Sequence, residues 1–241
     1  MTTFDGLDEA ALCRLTGAPR VALHATVGST LDVAHALAAQ GAPTGTVALA
    51  DEQTAGRGRA GRAWHSPAGA GLWLSIVLRP AAPPAGGTLA IRTGLAAHAA
   101  LRVAAPGLEA RLKWPNDIVA AGRKLGGILC EAHWSGEQVG WVAVGVGLNV
   151  HGPLDPAVAA LAGTIAEFDA DVTRLGVLAE LAPRLGVLAA LAPRLDAREQ
   201  ADYLDRLWMP EGTAPVVGIE PDGALLLRRP DGGVERRVDA D

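Results

Sequence analysis

The chain has 241 residues, 49% hydrophobic and 20% charged, with a net charge of −5, enough for one large domain with a sizeable core and a small appendage. The acidic balance argues against nonspecific binding to nucleic acid or a membrane surface, and no apolar run reaches the roughly 18 residues of a membrane span. Two distant cysteines, Cys13 and Cys130, can build neither a disulfide framework nor a thiolate metal site, and the N-terminus lacks an export signal, so a cytoplasmic location is expected.

Thr30 is the expected N-cap of the first helix, L-D-V-A-H-A-L-A-A-Q, with Asp32 in its first turn and Gly41 as its stop. T-V-A-L-A follows as a short buried strand ending at Asp51, and L-W-L-S-I-V-L from Leu72 has strand composition. Residues 88–104 carry a helical pattern, with Leu89, Leu95 and Val103 among alanines. R-L-K-W, D-I-V-A, K-L-G-G-I-L-C-E-A and Q-V-G-W-V-A-V-G-V then read as four strands joined by A-A-G-R and W-S-G-E turns. Helices are expected near 154–162 and over 171–207, before three short strands separated by P-D-G and P-D-G-G turns. The order predicts an α+β fold, a mixed β-sheet flanked by helices, divided into a domain over 1–207 with its core at 27–150 and a small C-terminal β domain over 208–241.

One internal repeat stands out. R-L-G-V-L-A-E-L-A-P (174–183) is followed by R-L-G-V-L-A-A-L-A-P (184–193), differing only at Glu180 and Ala190. Ten residues turn a helix by roughly 1000°, about 80° away from the original face, so one continuous helix cannot bury both copies alike; Pro183 and Pro193 offer break points. Two copies are too few for a solenoid, and a tolerated duplication in a peripheral helical region is the expected reading.

Charge is unevenly spread. No acidic residue lies between Glu52 and Glu109, while Arg57, Arg59, Arg62, Arg79, Arg92 and Arg102 all do, which points to a local anion pocket. Only two lysines occur, Lys113 and Lys124, against nineteen arginines. A compact ammonium differs from a planar guanidinium, so both positions are candidates for a point donor.

Two constellations carry the chemistry. In G-R-G-R-A-G-R-A-W (56–64) three glycines let the backbone approach a ligand and three arginines supply forked donors for carboxylate or phosphate; such a loop is expected to be mobile until an anion orders it. The string also satisfies G-x-G-x-x-G, but R-A-W-H-S-P is a poor helix start and no ribose carboxylate follows, so a dinucleotide fold is rejected. A short arginine–glycine nucleic-acid segment is the bland alternative. In K-W-P-N-D (113–117), Pro115 favours an extended Trp114 and places Lys113 and Asn116 at a strand end. Asn116 and Asp117 can bond a ligand or orient Lys124 from the facing strand, and Gly126 and Gly127 leave room for a ligand against that strand.

Together, G-R-G-R-A-G-R-A-W, K-W-P-N-D and a second lysine eleven positions after the first resemble the signatures of biotin protein ligases. V-G-S-T-L-D before the first helix and V-G-V-G-L-N-V at 144–150 support the likeness, which runs from about Val27 to Val150. The resemblance implies a catalytic domain like those of lipoate ligases and class II aminoacyl-tRNA synthetases, followed by an SH3-like β domain. It implies an ATP-dependent enzyme that forms biotinyl-5′-AMP and transfers biotin to a lysine of a biotin carboxyl carrier protein, such as that of acetyl-CoA carboxylase. It further implies that Ser29, Thr30 and Gln53 meet the biotin ureido group, that Gly56, Arg57, Gly58 and Arg59 cover biotin and the adenylate, and that Gly127 borders biotin. Lys124 is assigned to the biotin carboxylate and α-phosphate, Arg59 and Arg62 to phosphates, and Trp64 to adenine. Lys113, Asn116, Asp117 and Asn149 complete the nucleotide side, with Lys124, Arg59, Lys113 and Asp117 the catalytic set and Mg²⁺ held through phosphates rather than by a protein cage.

The chain departs from the family pattern at Leu31, where Asn is common. About twenty residues precede the motifs, too few for a helix-turn-helix domain, so no nucleic-acid partner is expected; neither is a membrane, and the protein is expected as a monomer or homodimer. The chain stops at R-V-D-A-D, where the last strand of the β domain is forming, which leaves that domain's completeness open. The alternatives are a lipoate or octanoyl transferase of the same fold and a non-catalytic biotin- or nucleotide-binding regulator.

Overall fold

The computed structural model describes residues 2–238. Seven strands form the main sheet: β1 (Val21–Val27), β2 (Val47–Gln53), β3 (Gly71–Leu78), β4 (Arg111–Lys113), β5 (Asp117–Ala120), β6 (Arg123–Ser135) and β7 (Gln138–Asn149). Their order is β1-β2-β3-β7-β6-β5-β4, parallel between β1 and β2 and antiparallel elsewhere. The expected mixed sheet is thus present. β1 and the helix before it, α1 (Glu9–Thr16), are not among the sequence expectations.

The sheet buries both faces. On β3, Leu72, Leu74, Ile76 and Leu78 join a large core, while Val77 joins a smaller one. Burial on both faces requires apolar residues at consecutive positions, which is why that strand alternates so weakly. The smaller core is filled by Leu31, Ala34, Leu37 and Ala38 of α2 (Thr30–Ala39). Ser29, not Thr30, caps this helix, its Oγ accepting from the Leu31 amide at 3.3 Å. The larger core takes α3 (Thr88–Ala104), α4 (Arg174–Gly186) and Tyr203 of α5 (Ala197–Arg206).

The helical expectation after residue 150 needs correction in two places. Residues 154–162 form turns rather than a helix. Alanine raises their helix propensity, but Val158 and Leu161 are exposed, so no apolar face is docked to stabilise one. The Leu161 carbonyl instead accepts from the Lys124 amide at 2.9 Å, and the Gly163 amide donates to the Lys124 carbonyl at 3.0 Å. The stretch 171–207 splits into α4 and α5, with a 3-10 turn at Leu188–Ala190 between them. Pro183 does not break the chain; it lies inside α4.

Strands β8 (Val216–Ile219), β9 (Leu225–Arg228) and β10 (Val234–Arg237) form a second, antiparallel sheet in the order β10-β9-β8. Ile219, Leu225 and Leu227 join the large core, and the Trp114 indole donates to the Gly223 carbonyl at 2.9 Å. Of the R-V-D-A-D end, residues 239–241 lie outside the described residues.

Candidate active site

Residues of β3, β6 and β7, with Gln53 at the end of β2, floor a cavity of about 1050 Å³, at the upper end of small-molecule pockets, roughly 300–1,000 Å³. Ser29, Thr30, Leu31 and Gln53 all line it. Gln53 lies at the end of β2, whose pairing runs two residues past the expected end at Asp51. Its Oε1 accepts from the Thr30 amide (2.8 Å) and hydroxyl (3.1 Å), and its Nε2 donates to Ser66 Oγ at 2.8 Å. Thr30 Oγ1 also bonds Ser75 Oγ at 2.8 Å. Ser75 and Ser66 are absent from the sequence candidates; the signal for Ser75 is a lone hydroxyl in an apolar strand. Leu31 packs against Gly145 of β7, so hydrocarbon lines that part of the wall.

Residues 56–64 form a hydrogen-bonded loop. Gly58 N donates to Arg62 O at 2.7 Å, Trp64 N to Gly56 O at 2.8 Å, and Arg57 bridges Ala63. Between them Arg59–Gly61 make one 3-10 turn, with Ala60 left-handed at φ 53°. Arg57 is the arginine that ties the loop down. Its guanidinium bonds Asp32 of α2 at 2.7 Å and Glu131 of β6 at 3.2 Å; burial opposes its charge, but the two carboxylates outweigh this and raise its pKa. Glu131 is held in turn by His35 Nε2 at 3.0 Å, whose Nδ1 accepts from the Trp141 indole at 2.9 Å. The pull of Asp32 and Glu131 on Arg57, which sequence reading missed, has no local signal, since Glu131 is 74 residues from Arg57. Arg59 Nη1 donates to Asn116 Oδ1 at 3.3 Å, and exposed Arg62 sits at the cavity margin.

Trp64 turns back onto the sheet. Gly127 of β6 and Gly147 of β7 are paired in register, and the indole lies over both: a Cβ on Gly147 would come within 2.5 Å of Trp64 Nε1, and one on Gly127 within 3.3 Å of the ring. The room at Gly127 is therefore shared by Trp64 and Lys124, while Gly126 faces Leu148 and Ile118. Trp64 Nε1 and Thr46 Oγ1 are the buried side-chain polar atoms without a partner among the described residues.

The K-W-P-N-D segment turns between β4 and β5, with Lys113 facing Asp117 across the ladder. The Trp114–Pro115 peptide is cis. Asn116 Nδ2 donates to Ile128 O at 2.9 Å and its own carbonyl accepts from Ile128 N at 2.9 Å, fixing the turn to β6. Lys124 Nζ reaches Asp117 Oδ1 at 2.6 Å and lies 5.2 Å from the Trp64 ring centroid, a cation–π distance. Buried Asn149 donates to Gly163 O at 3.2 Å. All the predicted residues named here line one cavity except Gly126, whose open side is taken by Leu148 and Ile118. Among the described residues, no group of three or more His, Cys, Asp or Glu side chains is placed to hold a metal ion.

This arrangement of sheet, loop and hairpin defines a family. The model of the biotin/lipoate A/B protein ligase family matches residues 25–149, and the chain belongs to it. It is 43% identical over 129 residues to the bifunctional ligase/repressor BirA of Bacillus subtilis, covering 53% of this chain and 39% of that protein. It is 45% identical over 131 residues to the biotin–[acetyl-CoA-carboxylase] ligase of Mycobacterium tuberculosis, covering 52% and 47%; the matches thus span less than half of these relatives. The biotin protein ligase from Aquifex aeolicus, solved in complex with biotin and ATP, superposes with a TM-score of 0.73 at 25% identity over 92% of this chain and 96% of that one.

Proposed function

We propose that this protein is an ATP-dependent ligase that converts biotin to biotinyl-5′-AMP and passes the biotinyl group to a lysine of a biotin carboxyl carrier protein, in the cytoplasm. The observation that carries the reading is one cavity that contains both neutral hydrogen-bonding groups, buried Ser29 and Thr30 with half-buried Gln53, and the cations Arg59, Arg62, Lys113 and Lys124. A bicyclic urea needs the first set; a carboxylate meeting a triphosphate needs the second. In the first step a carboxylate oxygen attacks the α-phosphorus and pyrophosphate leaves; the assembly of negative charge is tolerable only where fixed cations offset it. Lys124 is the point donor for the carboxylate and α-phosphate, held ready by Asp117. Arg59, steadied by Asn116, and Arg62 serve the phosphates, and Mg²⁺ enters with the triphosphate. In the second step the carrier's lysine amine attacks the acyl carbon and AMP leaves.

The test is pyrophosphate release from ATP with mass detection of the acyl-adenylate, run in parallel with biotin, lipoate and octanoate. Biotin-dependent release with biotinyl-5′-AMP supports the reading. Release with lipoate or octanoate but not biotin makes the protein a ligase of the other branch, and binding of biotin without release makes it a regulator.

A further inference from the structure

Beyond the cavity, the same face of β6 carries a chain of hydrogen bonds that ends on the loop over 56–64. Alternation along a strand puts Gly127, Leu129 and Glu131 on one face; the first two line the cavity and Glu131 stands one step further out. Its Oε2 meets both Arg57 Nη2, at 3.2 Å, and His35 Nε2, at 3.0 Å. His35 Nδ1 in turn accepts from the Trp141 indole at 2.9 Å. An indole N–H can only donate, so Nδ1 is the bare nitrogen and the ring proton sits on Nε2, pointed at the carboxylate. Trp141 is itself held in place, stacked on His133 at 3.8 Å and 11°, with the Arg79 guanidinium 5.7 Å from its ring centroid. Arg57 lines the cavity, whereas His35, Glu131 and Trp141 do not.

We infer that His35 and Trp141 are positioning residues for the loop over 56–64: acting through Glu131 and Arg57, they hold its first arginine in the cavity wall and so set how tightly the acid substrate and its adenylate are retained, an inference that rests on the ligase reading above. A glutamate side chain is costly to order, because it loses rotamer freedom when it is fixed to receive a partner. With the His35 proton already on Oε2, Glu131 is fixed by the sheet and α2 before Arg57 arrives, so closing the loop does not bear that cost. The neutral ring matters for charge as well. It leaves the full carboxylate charge to the guanidinium, the stronger kind of hydrogen bond, where an imidazolium would offset it. Trp141 enforces this state, since a second ring proton on Nδ1 would face the indole N–H, donor against donor. Of the two carboxylates on Arg57, the Asp32 side chain is 64% exposed and that of Glu131 31%. Solvent screens Asp32 more, so Glu131 is the contact whose positioning decides the tether.

The tether is read first without catalysis, as the rate of tryptic cleavage after Arg59 and Arg62 in the full chain, mapped by mass. His35→Leu should speed cleavage about tenfold, the worth of one hydrogen bond to a charged group. His35→Gln, which keeps an N–H donor for Glu131, should stay close to the parent. On an Arg57→Ala background His35→Leu should add nothing, because residues in one network fail to add where independent ones do. Unchanged cleavage in His35→Leu, no rescue by His35→Gln, or a full further increase on the Arg57→Ala background overturns the inference. Trp141→Phe removes the N–H but keeps the ring, and should move cleavage in the same direction by less; no movement overturns the part assigned to the indole. With biotin and Mg-ATP, KM for biotin in His35→Leu should rise about tenfold by the same reasoning, with kcat held and His35→Gln restoring KM. A fall in kcat at unchanged KM overturns the inference while leaving the ligase reading intact. Absence of pyrophosphate release from the parent defeats the ligase reading instead, and the cleavage rates still decide the tether.

Discussion

At the scale of single residues, the site depends on what stands at the glycines of β6 and β7 as much as on its charged groups. Trp64 reaches its seat only because Gly127 and Gly147 have no side chain, and its ring then covers Lys124. Gly147→Ala should displace the indole, since the new Cβ would sit 2.5 Å from Nε1; we expect KM for ATP or biotin to rise about tenfold, about 1.4 kcal/mol, with the circular dichroism spectrum unchanged, and an unaltered KM refutes the platform. Lys124→Arg keeps the charge but loses the compact donor beside Asp117; adenylation should fall about 10²-fold or more, as when a charge-stabilising donor is removed elsewhere. Arg228→Lys, at the exposed end of β9 in the second sheet, should be near neutral in the same assay. The Lys124–Asp117 contact was readable because both residues lie in one hairpin. Nothing near G-R-G-R-A-G-R-A-W tells which of its arginines is already neutralised; Arg57 is, by Asp32 and Glu131, and Glu131→Gln should loosen the loop, seen as faster proteolytic nicking at 56–64 with the melting temperature little changed.

At the scale of elements, the duplicated decapeptide shows one sequence in two environments. Val177 is 0% exposed and its counterpart Val187 60%; Leu181 is 0% exposed and Leu191 42%. The roughly 80° offset puts Val187 and Leu191 off the core-facing side, and with a 3-10 turn in place of more helix the second copy keeps only Leu185 and Leu188 in the core. Arg174, at the head of the first copy, is buried against Asp5, Asp51 and the Phe4 ring, whereas Arg184 pairs within its own helix with Glu180. Leu181→Ala should therefore cost about 2–5 kcal/mol, the range for fully buried leucine, and Leu191→Ala less than about 1 kcal/mol, both measured by chemical denaturation; equal costs refute the asymmetry. The rotational argument foresaw a break in the repeat but not its place, since Pro183 stays inside α4 and the helix ends at Gly186, and alanine-rich composition overstated the helix at 154–162, where no packing rewards it.

At the scale of the whole molecule, the two sheets are fastened through groups far apart in sequence. The Trp114 indole bonds the Gly223 carbonyl, and buried Arg92 of α3 holds Glu199 at 2.6 Å together with the carbonyls of Ala192 and Arg194. His98, further along α3, is half-buried beside Arg206 and Arg102. Burial lowers its pKa from the usual 6.5, and Arg206 and Arg102 add to the effect. The unfolded chain therefore binds a proton there more readily than the folded one, so the stabilisation is complete above pH 6.5 and is lost as pH falls from 6.5 toward the lower folded-state value. His98→Gln should flatten the dependence of melting temperature on pH in that window; an unchanged slope refutes the assignment. By itself the sequence determined the helix over 88–104, the strands of the K-W-P-N-D hairpin, the turns of the second sheet and the family, all features set by residues within a few turns of one another. The tertiary structure alone decided the parallel pairing of β1 with β2, the seat of Trp64 on two glycines, the Arg57 tether and the Arg92 clamp. Each of these joins segments tens to more than a hundred residues apart, and which of many possible partners is met depends on the packing of the entire core rather than on any local pattern.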